Sequence, residues 1–308
     1  MPPLRVMTYN VRYFGHGTRG LASTHGGIVR IARALAALDP APEIVCLQEV
    51  ETSSLRSNIL RRPLPEETQL DRLVHELDRA LAAAGRKERF VAYYFPAHAY
   101  RVTERTSVYT TGLAVLARFD LEVLHHNAGR PHDITHRRAL GNLKQTRVCG
   151  HVAFRASDGQ TLDVFNTHLS LPNFWSKKFW TDPLRMGFGE NQLAEARALA
   201  DFVHGERRGE HVLVMGDFNS LPGSPVDQYL REERGFVDGL RTALGLEERA
   251  ARAFPTAGFL NLRMHLDHIY ASPSLAMVDV ADTHPFGKPG PFDGLSDHVP
   301  ILARVTPR

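Results

Sequence analysis

Short apolar runs bounded by polar residues recur along the chain, which is typical of buried β-strands. The predicted strands are Leu4–Tyr9, Glu43–Gln48, Phe90–Phe95, Gly112–Ala117, Gln145–Phe154, Thr161–Thr167, His211–Gly216, Leu266–Ala271 and Val299–Val305. Apolar residues at helical spacing predict helices through Ile28, Ile31, Leu35 and Leu38, through Leu70, Leu73, Leu77 and Leu81, and through Leu193, Ala196, Ala200 and Val203. Many strands and few helices favour an α/β architecture of sheets packed on each other with helices outside. With no internal repeat and no linker, we expect a single domain over residues 1–308.

The composition is that of an ordinary water-soluble protein. Of the 308 residues, 43% are hydrophobic and 23% are charged, and the net charge is +3. This mild positive charge is compatible with a phosphate-bearing substrate but is far from that of a DNA-coating protein. The chain has two cysteines, too few for a disulfide framework. Without an apolar leader or an 18-residue apolar stretch, the expected location is cytoplasmic.

Polar clusters occur at the ends of four predicted strands. Two further clusters belong to the last two predicted strands, one within the first of them and one directly before the second. They are Thr8-Tyr9-Asn10, Gln48-Glu49, Asn166-Thr167-His168, Gly216-Asp217-Phe218-Asn219, Leu266-Asp267-His268 and Ser296-Asp297-His298. Strand ends sit on a rigid scaffold and direct their side chains to a common rim. These carboxylate, amide and imidazole groups therefore predict one convergent site.

The same clusters lie in an ordered set of motifs, TYN, LQEVE, NTHL, GDFNS, LDHIY and SDHVP, between residues 8 and 300. This set resembles the endonuclease/exonuclease/phosphatase superfamily of DNase I-like metal-dependent phosphoesterases, and GDFNS together with SDHVP is its most specific part. The resemblance implies a four-layered α/β sandwich, with two face-to-face mixed β-sheets flanked by helices. It also implies hydrolysis of a phosphate ester by an activated water.

The resemblance gives each cluster a role. Asn10, Glu49 and Asp297 are the expected metal residues, and Mg²⁺ is the expected cofactor, with Mn²⁺ as an alternative. The expected catalytic residues are His168, Asp217, Asn219, Asp267 and His298. Asp267 would orient His298, while His168 and Asn219 would donate hydrogen bonds to phosphoryl oxygens. Whether Asp217 or His298 is the base stays open.

Two positions depart from patterns common among such enzymes. Arg12 stands where some nucleases of the superfamily carry an acidic residue, which is expected to alter metal or substrate preference. His268 stands where many relatives carry an aromatic residue. Because neighbouring residues of a strand point to opposite faces, His268 should point away from Asp267 and serve a structural role.

Two segments, residues 125–143 and 170–189, are predicted to be loops. The first is rich in histidine and arginine, but its spacing matches no closed zinc site. In the second, Trp175 and Trp180 flank two lysines and could stack nucleobases, meet a membrane interface or pack on the domain. Arg147 is a weaker candidate for binding a substrate phosphate.

Several substrates fit this chemistry. The first hypothesis is an endonuclease or exonuclease acting on DNA or RNA, because that activity is widespread in the superfamily. The alternatives are a phospholipid phosphodiesterase of neutral sphingomyelinase type, which would contact membranes peripherally, and a small-molecule or inositol phosphate phosphatase. The intact motif set argues against a non-catalytic binding module, and no protein partner is implied.

Overall fold

A computed structural model describes residues 3–16, 25–50, 68–103, 106–136, 146–156, 159–172, 185–259, 262–281 and 289–308 of the chain. The strands are β1 Leu4–Asn10, β2 Ile44–Val50, β3 Phe90–Thr103, β4 Thr106–Arg118, β5 Val123–His126, β6 His132–Asp133, β7 Val148–Arg155, β8 Thr161–His168, β9 His211–Asp217, β10 Val237–Asp238, β11 Ala257–Phe259, β12 Leu262–Met264, β13 Asp267–Ala271, β14 Leu275–Ala281 and β15 Ile301–Pro307. The helices are α1 His25–Ala36, α2 Gln69–Ala83, α3 Glu190–Glu206, α4 Pro225–Gln228, α5 Gly239–Leu244 and α6 Glu248–Arg252.

The strands form two mixed sheets and a short hairpin. The first sheet has the order β14-β15-β1-β2-β4-β3, and the second has the order β10-β13-β9-β8-β7-β5 with β6 added on β7. Each sheet contains one parallel pair near its centre, β1 with β2 in the first and β8 with β9 in the second. The other strand pairs of the described residues are antiparallel, including the hairpin of β11 and β12.

Alternating residues of the central strands separate the core into layers. On β1, Met7 and Tyr9 pack with the apolar faces of α1 and α2, whereas Val6 packs between the two sheets. On β9, Leu213 and Met215 face the other sheet, while neighbouring residues pack against α3. Because successive side chains of a strand point to opposite faces, each sheet buries both of its faces. The result is the predicted four-layered sandwich, which is confirmed.

The predicted strands and helices all have counterparts, but the pattern missed several short strands. β5, β10, β11, β12 and β14 were not predicted, and β3 and β4 extend beyond their apolar runs as a long hairpin. The expected loop 125–143 is wrong in part, because His125, His126, His132 and Asp133 belong to β5 and β6 and pair with β7. Strands of two to four residues are too short to show a periodic signal, whereas β14 has seven residues, six of them apolar, and was missed for no such reason. Among the described helices, none is long and apolar enough to cross a membrane.

Candidate active site

The carboxyl ends of the two parallel strand pairs meet at the same edge of the sandwich. Asn10, which ends β1, donates a hydrogen bond from Nδ2 to Oδ2 of Asp217, which ends β9, over 3.0 Å. Below them, Gln48 Nε2 donates to Asn166 Oδ1 at 2.8 Å, and both side chains are fully buried. A buried amide pair between the sheets fixes their relative register. Residues from β1, β2, β8 and β9 therefore lie together at this edge.

His298 lies between two carboxylates at this edge. Its Nδ1 is 2.8 Å from Oδ2 of Asp267, and its Nε2 is 3.7 Å from Oδ2 of Asp217. Asp267 and Asp217 face each other because they are paired in the register of β13 and β9. The buried Thr256 hydroxyl accepts hydrogen bonds from the backbone N–H groups of Leu266 and Asp267 at 2.9 and 3.0 Å, and so holds Asp267 in place. Sequence reasoning did not identify Thr256.

The buried setting shifts the pKa values of this group in opposite senses. Burial would lower the pKa of His298, but the charges of Asp267 and Asp217 outweigh it and hold that pKa well above its usual value. Burial raises the pKa of Asp217 to about 7, although the positive charge of His298 opposes the shift. At neutral pH, His298 is therefore a cation, whereas Asp217 is poised between its charged and neutral forms.

Asn219 and His168 lie on the other side of Asp217. Gly216 allows this approach, because it has a φ of +150° and an added Cβ would overlap the Thr167 carbonyl on β8. Asn219 Nδ2 is 3.2 Å from His168 Nε2 and donates to the carbonyl of Leu169 at 2.9 Å. Burial, followed by the charges of Arg147 and His298, holds the pKa of His168 well below its usual value. His168 is therefore a neutral imidazole.

Glu49 occupies a bulge near the end of β2. The register with β4 shifts between Leu47 and Val50, which leaves Gln48 and Glu49 in the bulge, and Glu49 has a φ of +55°. Bulges re-aim side chains and are frequent beside active sites. Burial, followed by the charge of Asp297, raises the pKa of Glu49, so these two carboxylates lie within electrostatic reach of each other.

Positive φ values outside glycine are confined to the site. In the described part of the chain they occur at Arg12, Tyr13, Phe14, Glu49 and Asn219. Glu49 and Asn219 are predicted site residues, and the other three residues follow Asn10 within four positions. Left-handed backbone is unfavourable for residues with a side chain and persists only where the surrounding structure imposes it. The strain therefore marks this edge independently of the motifs.

The described residues contain one group of three side chains with metal-ligand atoms within 4.8 Å of one another, namely Asp217, Asp267 and His298. A protonated imidazole has no lone pair for a metal, and the raised pKa of His298 keeps it protonated. The carboxylates of Glu49 and Asp297 beside Asn10 are a better oxygen set for a hard cation. Asp297 also forms an ion pair with Arg12, with 2.8 Å between Oδ2 and Nη1, a contact that sequence reasoning missed.

Arg147 is held at the rim of the site. Its Nε donates to Ser170 Oγ at 3.3 Å, and Ser170 in turn donates from Oγ and from its backbone N–H to the buried carboxylate of Glu195 on α3, both at 2.8 Å. The positive charge of Arg147 lowers the pKa values of Glu49 and His168, which places it near both. Trp175 and Trp180 lie outside the described residues.

His268 lies behind the site, on the opposite face of β13 from Asp267. Its Nε2 donates to the carbonyl of Ser220 at 2.8 Å, and its Nδ1 is 3.5 Å from Oδ2 of Asp238. Burial opposes protonation of His268, but Asp238 raises its pKa above the usual value, and the pKa of Asp238 falls to about 2. This buried ion pair anchors the segment that carries Asn219.

Replacing His268 by leucine is expected to destabilise the protein by about 3–5 kcal/mol, because Asp238 would remain buried without its cation. Urea unfolding followed by circular dichroism measures this loss. His265→Leu is the matched control, since His265 is equally buried, has its pKa lowered to about 4 and donates one hydrogen bond from Nδ1 to the Ala251 carbonyl. An equal loss in the two variants would contradict the assignment.

Comparisons with known proteins agree with this architecture. Residues 7–298 match the model of the endonuclease/exonuclease/phosphatase family. No curated protein matches the chain. The fold is similar to the human Nocturnin catalytic domain with bound sulfate anion, at 18% identity and a TM-score of 0.64, covering 100% of this chain and 94% of that one.

Two bacterial structures are similar as well. The endonuclease/exonuclease/phosphatase from Beutenbergia cavernae DSM 12333 gives 20% identity and a TM-score of 0.65, covering 99% of this chain and 72% of that one. The mannosyl-6-phosphatase Bt3783 of Bacteroides thetaiotaomicron VPI-5482 gives 16% identity and a TM-score of 0.58, covering 98% of this chain and 99% of that one. These likenesses show the fold, and the family model spans all six polar clusters. The chain therefore belongs to the endonuclease/exonuclease/phosphatase family.

Proposed function

We propose that this metal-dependent phosphoesterase is a Mg²⁺-dependent phosphodiesterase that cleaves nucleic acid by attack of water on phosphorus. The observation that carries the proposal is the pair of opposed titrating groups, a protonated His298 beside Asp217 with a pKa of about 7. Two neighbouring groups whose environments separate their protonation states are typical of acid–base catalysis. Such a pair activates water directly and requires no side-chain nucleophile.

In this mechanism Asp217 is the base. His298 already carries its proton at neutral pH and cannot accept a second, which favours Asp217 as the base. As the water oxygen bonds to phosphorus, one of its protons passes to Asp217 and the ester bond on the opposite side breaks. The leaving oxygen takes a proton from solvent water as it departs, and Asp217 releases the proton that it accepted to solvent, which restores the starting protonation state. His298, Asn219 and the neutral His168 donate hydrogen bonds to the phosphoryl oxygens, where negative charge grows.

The residues around Glu49 fit a divalent cation. Glu49 and the side-chain oxygen of Asn10 are hard oxygen donors for the ion, and Asp297, whose Oδ2 pairs with Arg12, adds negative charge nearby. Burial raises the pKa of Glu49, and the charge of Asp297 raises it further. A positive ion would relieve that repulsion. When bound, Mg²⁺ would supply charge neutralisation for the phosphoryl oxygens. Mn²⁺ has the same ligand preference and is the alternative.

Nucleic acid is the proposed substrate because nuclease activity is widespread in the family, and family membership is the support for this choice. The guanidinium of Arg147 at the rim would meet an adjacent backbone phosphate. The site draws on residues from Asn10 to His298, which supports one domain over residues 1–308.

Parallel assays of the purified protein with Mg²⁺ test the proposal. Plasmid DNA and a single-stranded RNA should be cut, whereas sphingomyelin in mixed micelles and p-nitrophenyl phosphate should be stable. Cleavage of sphingomyelin with intact nucleic acid would assign the lipid phosphodiesterase alternative. Release from the monoester alone would assign a phosphatase. Failure to hydrolyse even bis-p-nitrophenyl phosphate with Mg²⁺ or Mn²⁺ would refute the mechanism.

Replacing Glu49 by glutamine should raise the Mg²⁺ concentration needed for half-maximal activity by about 100-fold or more, because even outer partners of metal ligands contribute about 10- to 100-fold in affinity. The measurement is the initial rate against Mg²⁺ concentration. Glu122→Gln is the matched control, because Glu122 is exposed and pairs with Arg155. If both variants follow the wild-type curve, Glu49 is not a metal ligand.

A further inference from the structure

Arg12 lies in an unusual turn directly after Asn10. It and the next two residues have φ values of 43°, 56° and 55°. The turn is fixed from several sides, since the backbone N–H of Arg12 donates to Asn10 Oδ1 at 3.0 Å, and that of Val11 donates to the Gln48 carbonyl at 3.1 Å. Phe14 closes the turn with a side chain that is 1% exposed. The fold thus imposes an unfavourable backbone to hold Arg12 in one place.

The guanidinium of Arg12 is directed at Asp297. Nη1 lies 2.8 Å from Oδ2, and the two side chains are only 26% and 22% exposed. Nη1 also approaches His16 Nδ1 at 3.4 Å. Asp297 is fixed as well, because the neighbouring Ser296 donates from Oγ to the Asn10 carbonyl at 2.7 Å. The carboxylate of Asp297 is therefore already paired with a cation of the protein itself, the guanidinium of Arg12.

A partly exposed ion pair contributes little to stability, whereas three consecutive left-handed residues are each unfavourable. Stability alone does not account for the turn. The charge balance of the site accounts for the turn, because without Arg12 the carboxylates of Asp297 and Glu49 would place two negative charges beside a buried Asp217. Arg12 neutralises one of them and leaves Glu49 with Asn10.

We infer that Arg12 is the built-in second cation of the active site, so that the chain binds one divalent ion, at Glu49, and does not bind another at Asp297. This inference rests on the proposed function and specifies its metal site. It also gives the departure at position 12 a physical role: a fixed guanidinium stands where an acidic residue would help to ligate a further ion.

Titration of metal-free protein with Mn²⁺, with free Mn²⁺ followed by electron paramagnetic resonance, tests the inference without measuring activity. The wild type should bind one ion per chain. Arg12→Asp should bind two, because it frees Asp297 and adds a second carboxylate. Aspartate tolerates left-handed backbone better than most residues, so the turn should persist. Arg155→Asp is the matched control and should still bind one ion, since Arg155 pairs with the exposed Glu122 and not with Asp297.

The possible outcomes distinguish a failure of the role given to Arg12 from a failure of the proposed function. Two ions in the wild type would overturn the role of Arg12 while leaving metal dependence intact, and no ion in the wild type would overturn the proposed function itself. A folded Arg12→Asp that binds only one ion would also overturn the inference. If that variant does not fold by circular dichroism, Arg12→Gln decides: it should bind the first ion about tenfold more tightly than wild type. An unchanged Kd would reject the inference.

Discussion

Replacing Asp217 by asparagine is expected to lower kcat by about 10³-fold, within the range typical of losing a general base. The asparagine amide keeps the size of the side chain and its acceptor for the Asn219 backbone N–H, which is 2.9 Å away in the wild type. Its NH2 group replaces Oδ2, so the bond from Asn10 Nδ2 is lost. The variant therefore keeps its contact with Asn219 but cannot accept a proton from water.

The pH profile gives this prediction a second readout. The base form of Asp217 is its ionised form, so wild-type kcat/KM should rise with pH and level off near the pKa of about 7. Because the pKa of His298 lies well above its usual value, no loss from its deprotonation should appear in the same range. The rise should vanish in Asp217→Asn. Asp201→Asn, altered at an exposed carboxylate on α3, should keep both rate and profile. Retention of more than a tenth of the wild-type kcat by Asp217→Asn would refute its role as base.

His298→Ala is expected to lower kcat by about 10³-fold and to destabilise the fold by about 3–5 kcal/mol. The second effect arises because Asp267 would remain buried without its cation. Within the described part of the chain, Asp267 Oδ1 has no hydrogen-bond partner, so the charge of Asp267 is balanced chiefly through the contact of Oδ2 with His298. This one substitution is thus expected to lower both kcat and the free energy of unfolding, because it removes a proposed catalytic group and leaves the Asp267 carboxylate buried without a partner.

The double variant separates these effects. Asp267→Asn alone should lower kcat by about 10²-fold or more, because the histidine loses the partner that orients and charges it. In the His298→Ala background the same change should cost little further activity and should restore stability. Steady-state kinetics and urea unfolding measure the two quantities, with His204→Ala on the surface of α3 as control. Additive losses of kcat would show that the two residues act independently.

The sequence predicted much of the scaffold because buried strands and helix faces carry a periodic apolar signal. The run Ile44–Val50 is buried at all positions but one and was recognised almost to its bounds. The register that brings Asp267 opposite Asp217 is a property of strand pairing, which a single sequence does not display. That Asp267 and Asp217 should lie close together was expected only from the family resemblance of the ordered motifs.

The rest of the site depends on backbone detail that has no sequence signal. Nothing in the letters Gln48-Glu49 shows that they form a bulge, and nothing in Arg12 shows that it meets Asp297 from a left-handed turn. Thr256 holds Asp267 through a hydroxyl that resembles any other in the sequence. The roles of Trp175 and Trp180 and the cytoplasmic location stay predictions.

The position of β15 bears on how the enzyme is made. This strand lies between β14 and β1, so β1, which pairs with β2 on one side, acquires its second neighbour only after Ile301–Pro307 has been synthesised. Contacts of such long sequence separation form late and slow folding. His298 and Asp297 arrive with the same segment. A nascent chain that lacks this segment would therefore lack two residues of the proposed catalytic centre, and we expect activity only after β15 has joined the sheet.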